Sequence, residues 1–173
     1  MSLPRPSSTF TRAFIARWPG HIRQRTTSAA ISMNTDLLPT FAALAGAPLP
    51  AGVALDGKDV WPLWRGSPTS PHEHLLFFAN AEIAAIRNQD WRLVLRAYYM
   101  TFDAPLERFN ARQLFNVTDD PGETANLIDR HPDIAADLQG RVDAARMTFA
   151  DIPQQRTDPF VRDAPAVLPN WTG

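Results

Sequence analysis

Between Arg112 and Leu127 an apolar stretch, Gln113–Val117, runs directly into the polar sequence Thr118-Asp119-Asp120-Pro121-Gly122. The first part reads as a β-strand and the second as a tight turn. Asp119 or Asp120 can bond its own backbone two residues on, Pro121 presets φ, and Gly122 is expected to supply a positive φ. The chain upstream contains further short strands. Leu75–Ala79, Ile83–Arg87 and Trp91–Arg96 read as strands, the last two joined by the hairpin Asn88-Gln89-Asp90. Along Trp91–Arg96 the apolar positions 91, 93 and 95 alternate with 92, 94 and 96, which predicts one packed and one mostly wet face. After Pro132, the residues Ile134, Leu138, Val142, Ala145 and Phe149 fall on one side of a helix over 132–149, a stripe suited to cover that sheet.

The first third of the chain reads differently. Residues 1–11 have loop composition and are expected to lack fixed structure. Ala13–Trp18 reads as a short strand closed by Pro19-Gly20, and Ser28–Ser32 as a shorter extended piece. Asp36–Ala45 reads as a helix capped by Asn34 or Thr35 and stopped by Gly46, with Leu37, Leu38, Phe41, Leu44 and Ala45 on one apolar face. Val60–Trp64 is predicted as a helical turn. One strand and one helix cannot bury themselves, so Ala13–Ala45 expects a larger sheet to dock on. The fold class is therefore α/β, an α+β fragment with a four-stranded antiparallel sheet under a C-terminal helix. Its expected division is 1–11, 12–66, 67–150 and an extended tail 151–173.

Composition excludes several functions. The net charge of −1 offers no electrostatic case for nucleic acid or a membrane surface. The chain has no cysteine, hence no disulfide, thiolate metal site or thiol nucleophile. No apolar run reaches membrane-spanning length, and no signal peptide with an apolar core is present. The first 35 residues carry Arg5, Arg12, Arg17, Arg23 and Arg25 and no acid. Such a start can indicate a transit peptide, but Phe14–Ile22 reads as part of the fold.

Five segments resemble the sulfatase family, in family order. They are Arg12-Ala-Phe-Ile-Ala-Arg-Trp-Pro-Gly-His-Ile22, Asp36-Leu-Leu-Pro-Thr-Phe-Ala-Ala-Leu-Ala-Gly46, Leu55-Asp-Gly-Lys-Asp-Val-Trp-Pro-Leu-Trp64, Ala85-Ile-Arg-Asn-Gln-Asp-Trp-Arg-Leu93, and the Asp120-Pro-Gly-Glu-Thr-Ala-Asn-Leu127 segment. The detail is most similar to the arylsulfatase A type. The resemblance implies the C-terminal part of an alkaline-phosphatase-like fold, with the strand and helix of 12–66 ending the large domain. It also implies a whole enzyme that hydrolyses sulfate esters. The nucleophile there would be a formylglycine made within Cys/Ser-x-Pro-x-Arg, beside a calcium or magnesium ion, often in a periplasmic, secreted or lysosomal protein. Here that motif is missing: the nearest match, Ser2-Leu3-Pro4-Arg5-Pro6, has its arginine one position early. The family's metal-binding aspartates and its lysine also lack counterparts, so no catalytic, cofactor or metal role is assigned to any residue.

Other residues invite chemistry. His72-Glu73-His74 could place two imidazoles on one side of an extended segment, giving a small metal-dependent hydrolase, but reads more simply as a polar loop. His21 reads as a turn residue. Asp119, Asp120 and Glu123 lack calcium-loop spacing and read as turn chemistry. Trp18, Trp61, Trp64 and Trp91 read as core or interface packing before a carbohydrate platform. Asn116-Val-Thr and Asn170-Trp-Thr match the glycosylation pattern. The expected role is to complete a sulfatase fold and shape its cleft, without activity alone. The expected partner is a catalytic N-terminal half, or a second copy, meeting the exposed face of 13–45.

Overall fold

The computed structural model of the 173-residue chain describes residues 13–79, 82–99 and 102–149. The expectations for 1–11 and for the tail 151–173 fall outside the described residues. Four strands, β1 (Leu75–Ala79), β2 (Glu82–Arg87), β3 (Trp91–Val94) and β6 (Gln113–Asn116), form one antiparallel sheet in the order β1-β2-β3-β6. The expected hairpin joins β2 to β3. Asn88 Oδ1 accepts the N–H groups of Asp90 and Trp91, and Asn88 N donates to the Trp91 carbonyl.

Helix α3 (Pro132–Phe149) lies across one face as its stripe predicts. Leu138 and Val142 are fully buried against Ile86, Leu93, Leu95 and Leu114, and burial of each such side chain contributes about 1.5–3 kcal/mol. The stripe ends at Phe149, whose ring meets Phe78 edge-on at 5.7 Å. Strand periodicity alone would set Ile83 and Ile86 on opposite faces. A bulge removes the conflict: Phe77 pairs with Ala85 but Phe78 with Ile83, leaving Ala84 as the extra residue. The alternation resets, and both isoleucines reach the helix side.

Four expectations are corrected. Trp91–Arg96 is not one strand. It breaks after Val94, and Arg96–Tyr99 (β4) pairs with Phe102–Pro105 (β5) as a separate two-stranded ribbon. The face of β3 opposite α3 is not wet either. Val94 belongs to a second core with Ala85, Leu106, Phe115 and Val117, because the turn of 310 helix Leu106–Phe109 brings Leu106 over it. Ala13–Trp18 and Ser28–Ser32 form no ladder. A strand needs a neighbour for its N–H and C=O groups, and among the described residues no strand lies alongside. Instead the Gln89 side chain bonds 28–32 as a strand partner would: its Oε1 accepts Ile31 N and its Nε2 donates to the Ala29 carbonyl.

Finally, the helix α1 (Leu37–Ala45) is preceded by a 310 turn, Asn34–Asp36, and its N-cap position is Asp36 and not Asn34 or Thr35. Gly46 ends it at φ +63° as expected. Its buried residues are Pro39 and Thr40, while Leu38 and Phe41 of the apolar face stand in the open. The short helix α2 (Trp61–Trp64) follows, its entry capped by Asp59 Oδ1 on Trp61 N.

Candidate functional site: a buried aspartate hub and an open aromatic face

Asp36 is completely buried and is the acceptor around which three segments meet. Its Oδ2 takes Met33 N at 2.8 Å, and its Oδ1 takes Lys58 N at 2.8 Å and His72 Nε2 at 2.7 Å. Its own carbonyl accepts the Thr40 hydroxyl, whose oxygen in turn accepts Val60 N. The hub depends on Gly57, because a Cβ there would overlap the Thr35 carbonyl oxygen. Each donor that enters is matched by an acceptor, which is what a carboxylate removed from water requires. His72 is held further by Ser70, whose oxygen accepts His72 N and whose hydroxyl donates to the Ile31 carbonyl. The sequence marked Asp36 only as the start of a helix. The one local signal was an acidic residue set against the apolar run Leu37-Leu38-Pro39.

A second buried pair explains the Asp-Pro-Gly-Glu segment. Glu123 lies almost wholly inside, and both its oxygens accept from Arg92 Nη1, at 2.7 and 2.8 Å. The guanidinium also sits 5.5 Å from the Phe77 ring centroid. To reach it, Glu123 takes φ +52°; the left-handed residue of this turn is Glu123 and not Gly122. Asp120 bonds four and five residues on, its Oδ2 accepting Thr124 N and Ala125 N. Those bonds, the Ala125 N–H first, hold its carboxyl below the usual carboxylate range. Asn116 makes the turn two residues on that was expected of Asp119 or Asp120, Oδ1 accepting Thr118 N and Asp119 N. Asn126 Oδ1 and the Leu127 N–H then tie the segment back to Leu114.

The metal-like residues are drawn apart. His72 is committed to Asp36, and Glu73 is exposed and paired with Arg141 at 3.3 Å. His74 is half-buried, and its Nδ1 is buried without a partner. Burial, and next the charge of Arg141, holds the His74 imidazole below its ordinary value. Asp119 is bonded by Asn116 Nδ2, Asp120 by backbone N–H groups, and Glu123 by Arg92. Among the described residues no group of three or more His, Asp or Glu could hold a metal ion. Among those residues, therefore, the calcium or magnesium ion that the resemblance implies has no fitting donor set. The half-buried Asn116 has its amide engaged at both ends, and Asn170 lies outside the described residues, as does Ser2–Pro6.

The aromatic residues come together. Phe14 stacks on Trp64 at 5.3 Å, Phe41 meets Trp64 edge-on at 5.8 Å, Trp61 meets Trp64 at 6.1 Å, and Trp18 lies 5.4 Å from Trp61. A shallow groove of about 480 Å³ runs along this face between Phe14–Ile22 and α1. Its walls stand open: Phe14 is 56%, Ile15 88% and Phe41 54% exposed, and Leu38, one turn before Phe41 on α1 but outside the groove, is 55% exposed. Trp91 is apart from the group, half-buried against the His131 ring at 4.8 Å.

Comparison with known proteins fits these positions. The family described as N-sulphoglucosamine sulphohydrolase, C-terminal, matches residues 7–148. Arylsulfatase A of Bos taurus is 35% identical over 166 residues, covering 78% of this chain and 31% of its own length. Steryl-sulfatase of Mus musculus is 31% identical over 160 residues, covering 77% and 26%. The chain thus spans about a third or less of the length of the curated relatives it matches. A solved sulfatase of Pseudoalteromonas sp. superposes with a TM-score of 0.55 at 18% identity, over 69% of this chain and 26% of that one. Its architecture, like that of the other sulfatases matched, is the alkaline-phosphatase-like α/β fold. The matched stretch contains both buried hubs and the whole four-stranded sheet, and on that ground the chain belongs to the sulfatase family, as its C-terminal domain.

Proposed function

We propose that this chain is the part of a sulfuric-ester hydrolase of the arylsulfatase type that completes the fold and shapes one wall of the substrate cleft, and that it turns over no sulfate ester alone. The observation that supports the reading is the open face of Phe14, Ile15, Leu38 and Phe41. Contiguous apolar surface of this kind marks an interface in a soluble protein, and it lies on the 12–66 segment, which belongs with the large domain in this reading. The chemistry belongs to a partner region carrying Cys/Ser-x-Pro-x-Arg and the metal ligands, since no such motif occurs in these 173 residues.

The experiment is reconstitution. The purified chain is assayed with p-nitrophenyl sulfate alone, and again after mixing with an N-terminal sulfatase segment that carries the formylglycine motif. Turnover is expected only in the mixture. Turnover by the chain alone, abolished by a chelator, sinks the proposal.

The same open face favours a second reading, an interaction module that pairs with a separately made catalytic half or with a second copy. Light scattering separates the two. A monodisperse monomer with a single cooperative melt argues against an obligate partner.

A further inference from the structure

Two arginines stand opposite each other across the β2–β3 hairpin. Arg87 and Arg92 are partners in register. Each lies two residues along its strand from Ala85 or Val94, so both belong to the sheet face turned away from α3. Like charges set directly opposite in an antiparallel pair oppose folding, and one carboxylate answers two guanidinium groups here. Glu123 takes Arg92 Nη1 with both its oxygens. Among the described residues Arg87 has neither an ion pair nor a side-chain hydrogen bond. Asp90, the other carboxylate near enough to act on Arg87, accepts the Thr118 hydroxyl instead.

Arg87 differs from the other arginines that lack a carboxylate. Arg17, Arg23, Arg25, Arg65, Arg108 and Arg130 are exposed to water, and Arg112 Nη1 donates to Gln139. Arg87 is half-buried, in register beside the buried Leu75. Its Nε is closed to water and makes no bond, and the same holds for Arg92 Nε. Burial first, and the Arg92 charge second, lower the pKa of Arg87 from the ordinary arginine value. The outer ends of the pair are open: both Nη groups of Arg87 and Nη2 of Arg92 make no bond and are not closed to water. Two cations against the one anion, Glu123, leave one positive charge unmatched.

We propose that Arg87 and Arg92 together form a receptor for one further carboxylate, supplied by an aspartate or glutamate of the region that carries the catalytic motif. A guanidinium edge matches a carboxylate in paired hydrogen bonds. A single negative charge brings the group to two cations and two anions, whereas a dianion would overshoot. An ion pair completed in this way adds to an interface mainly by selecting the right partner and register. That the carboxylate comes from the rest of the enzyme rests on the function proposed above; the carboxylate chemistry of the site does not.

The test reads the arginine Nε–H signals of the purified chain by proton–nitrogen NMR during titration with sodium acetate, and with sodium chloride at equal ionic strength. Two signals, one of them missing in Arg87→Lys, should move and saturate with acetate and not with chloride. Arg87→Met should weaken acetate binding about tenfold, read at the remaining Arg92 signal, and Arg87→Lys should weaken it less. Arg87→Met should also melt no lower than the parent chain in chloride, because the cation it removes has no partner. Absence of saturation, an equal response to chloride, or undiminished acetate binding by Arg87→Met overturns the site. Calorimetric titration with the N-terminal sulfatase segment used for reconstitution then identifies the source. Association should weaken about tenfold in Arg87→Met, and acetate should compete with it in the parent chain. Association undiminished by Arg87→Met overturns the protein-borne occupant. Failure of the parent chain to associate counts against the function proposed above and that occupant with it, while acetate saturation still upholds the receptor.

Discussion

Asp36 shows how much one side chain can organise. Replacing it by Ala would leave Met33 N, Lys58 N and His72 Nε2 without an acceptor in a site closed to water. The expected cost is about 3 kcal/mol or more, read as a lowered urea midpoint. Asp36→Asn keeps one oxygen and should cost less. An unchanged midpoint for Asp36→Ala would show that the hub does not hold these segments. His74 gives a pH-dependent prediction. Its folded pKa lies below the ordinary 6.5, through burial first and Arg141 second. The folded state therefore binds fewer protons than the unfolded chain, so this contribution is complete above the unfolded pKa and lost as pH falls toward the folded one. Stability should decline on acidification below about pH 6.5, and His74→Gln should flatten that slope in chemical melts taken across the window. Neither role could be read from neighbouring residues. Lys58 and His72 reach Asp36 from 22 and 36 residues away, and Arg92 meets Glu123 across 31.

At the scale of elements, regular periodicity was readable and its interruptions were not. The stripe Ile134–Phe149 becomes α3, and the Asn88-Gln89-Asp90 turn becomes a hairpin, because each depends on contacts a few residues apart. The bulge at Ala84 and the break after Val94 arise from packing: both isoleucines of β2 must face α3, and Leu106 must cover Val94. The β4–β5 ribbon went unread because its connection, Met100-Thr101, carries none of the usual turn residues. Within α3, Gly140 is a helical glycine whose added Cβ would meet nothing within 4 Å. Gly140→Ala should therefore stabilise the chain by about 0.5–1 kcal/mol, seen as a higher melting temperature. A fall would mean that the position is closed by something beyond this chain.

For the molecule as a whole, the segment 13–45 was expected to need a larger surface to dock on, and the open face of Phe14, Ile15, Leu38 and Phe41 is the observation that motivates that proposal. Phe41 is more than half exposed, so Phe41→Glu should leave the melting temperature nearly unchanged while reducing concentration-dependent association in light scattering. A large loss of stability instead would place Phe41 in this chain's own core. The amino-acid sequence by itself determined the family, the four-stranded antiparallel sheet and the covering helix, because turn chemistry and apolar period act over a few residues. Only the tertiary structure decided which polar groups are buried together at Asp36 and Glu123, where strand alternation is reset, and which apolar face is left in water. Those outcomes depend on distances between residues far apart in the chain, where hydrogen-bond satisfaction and volume, not local preference, select the arrangement.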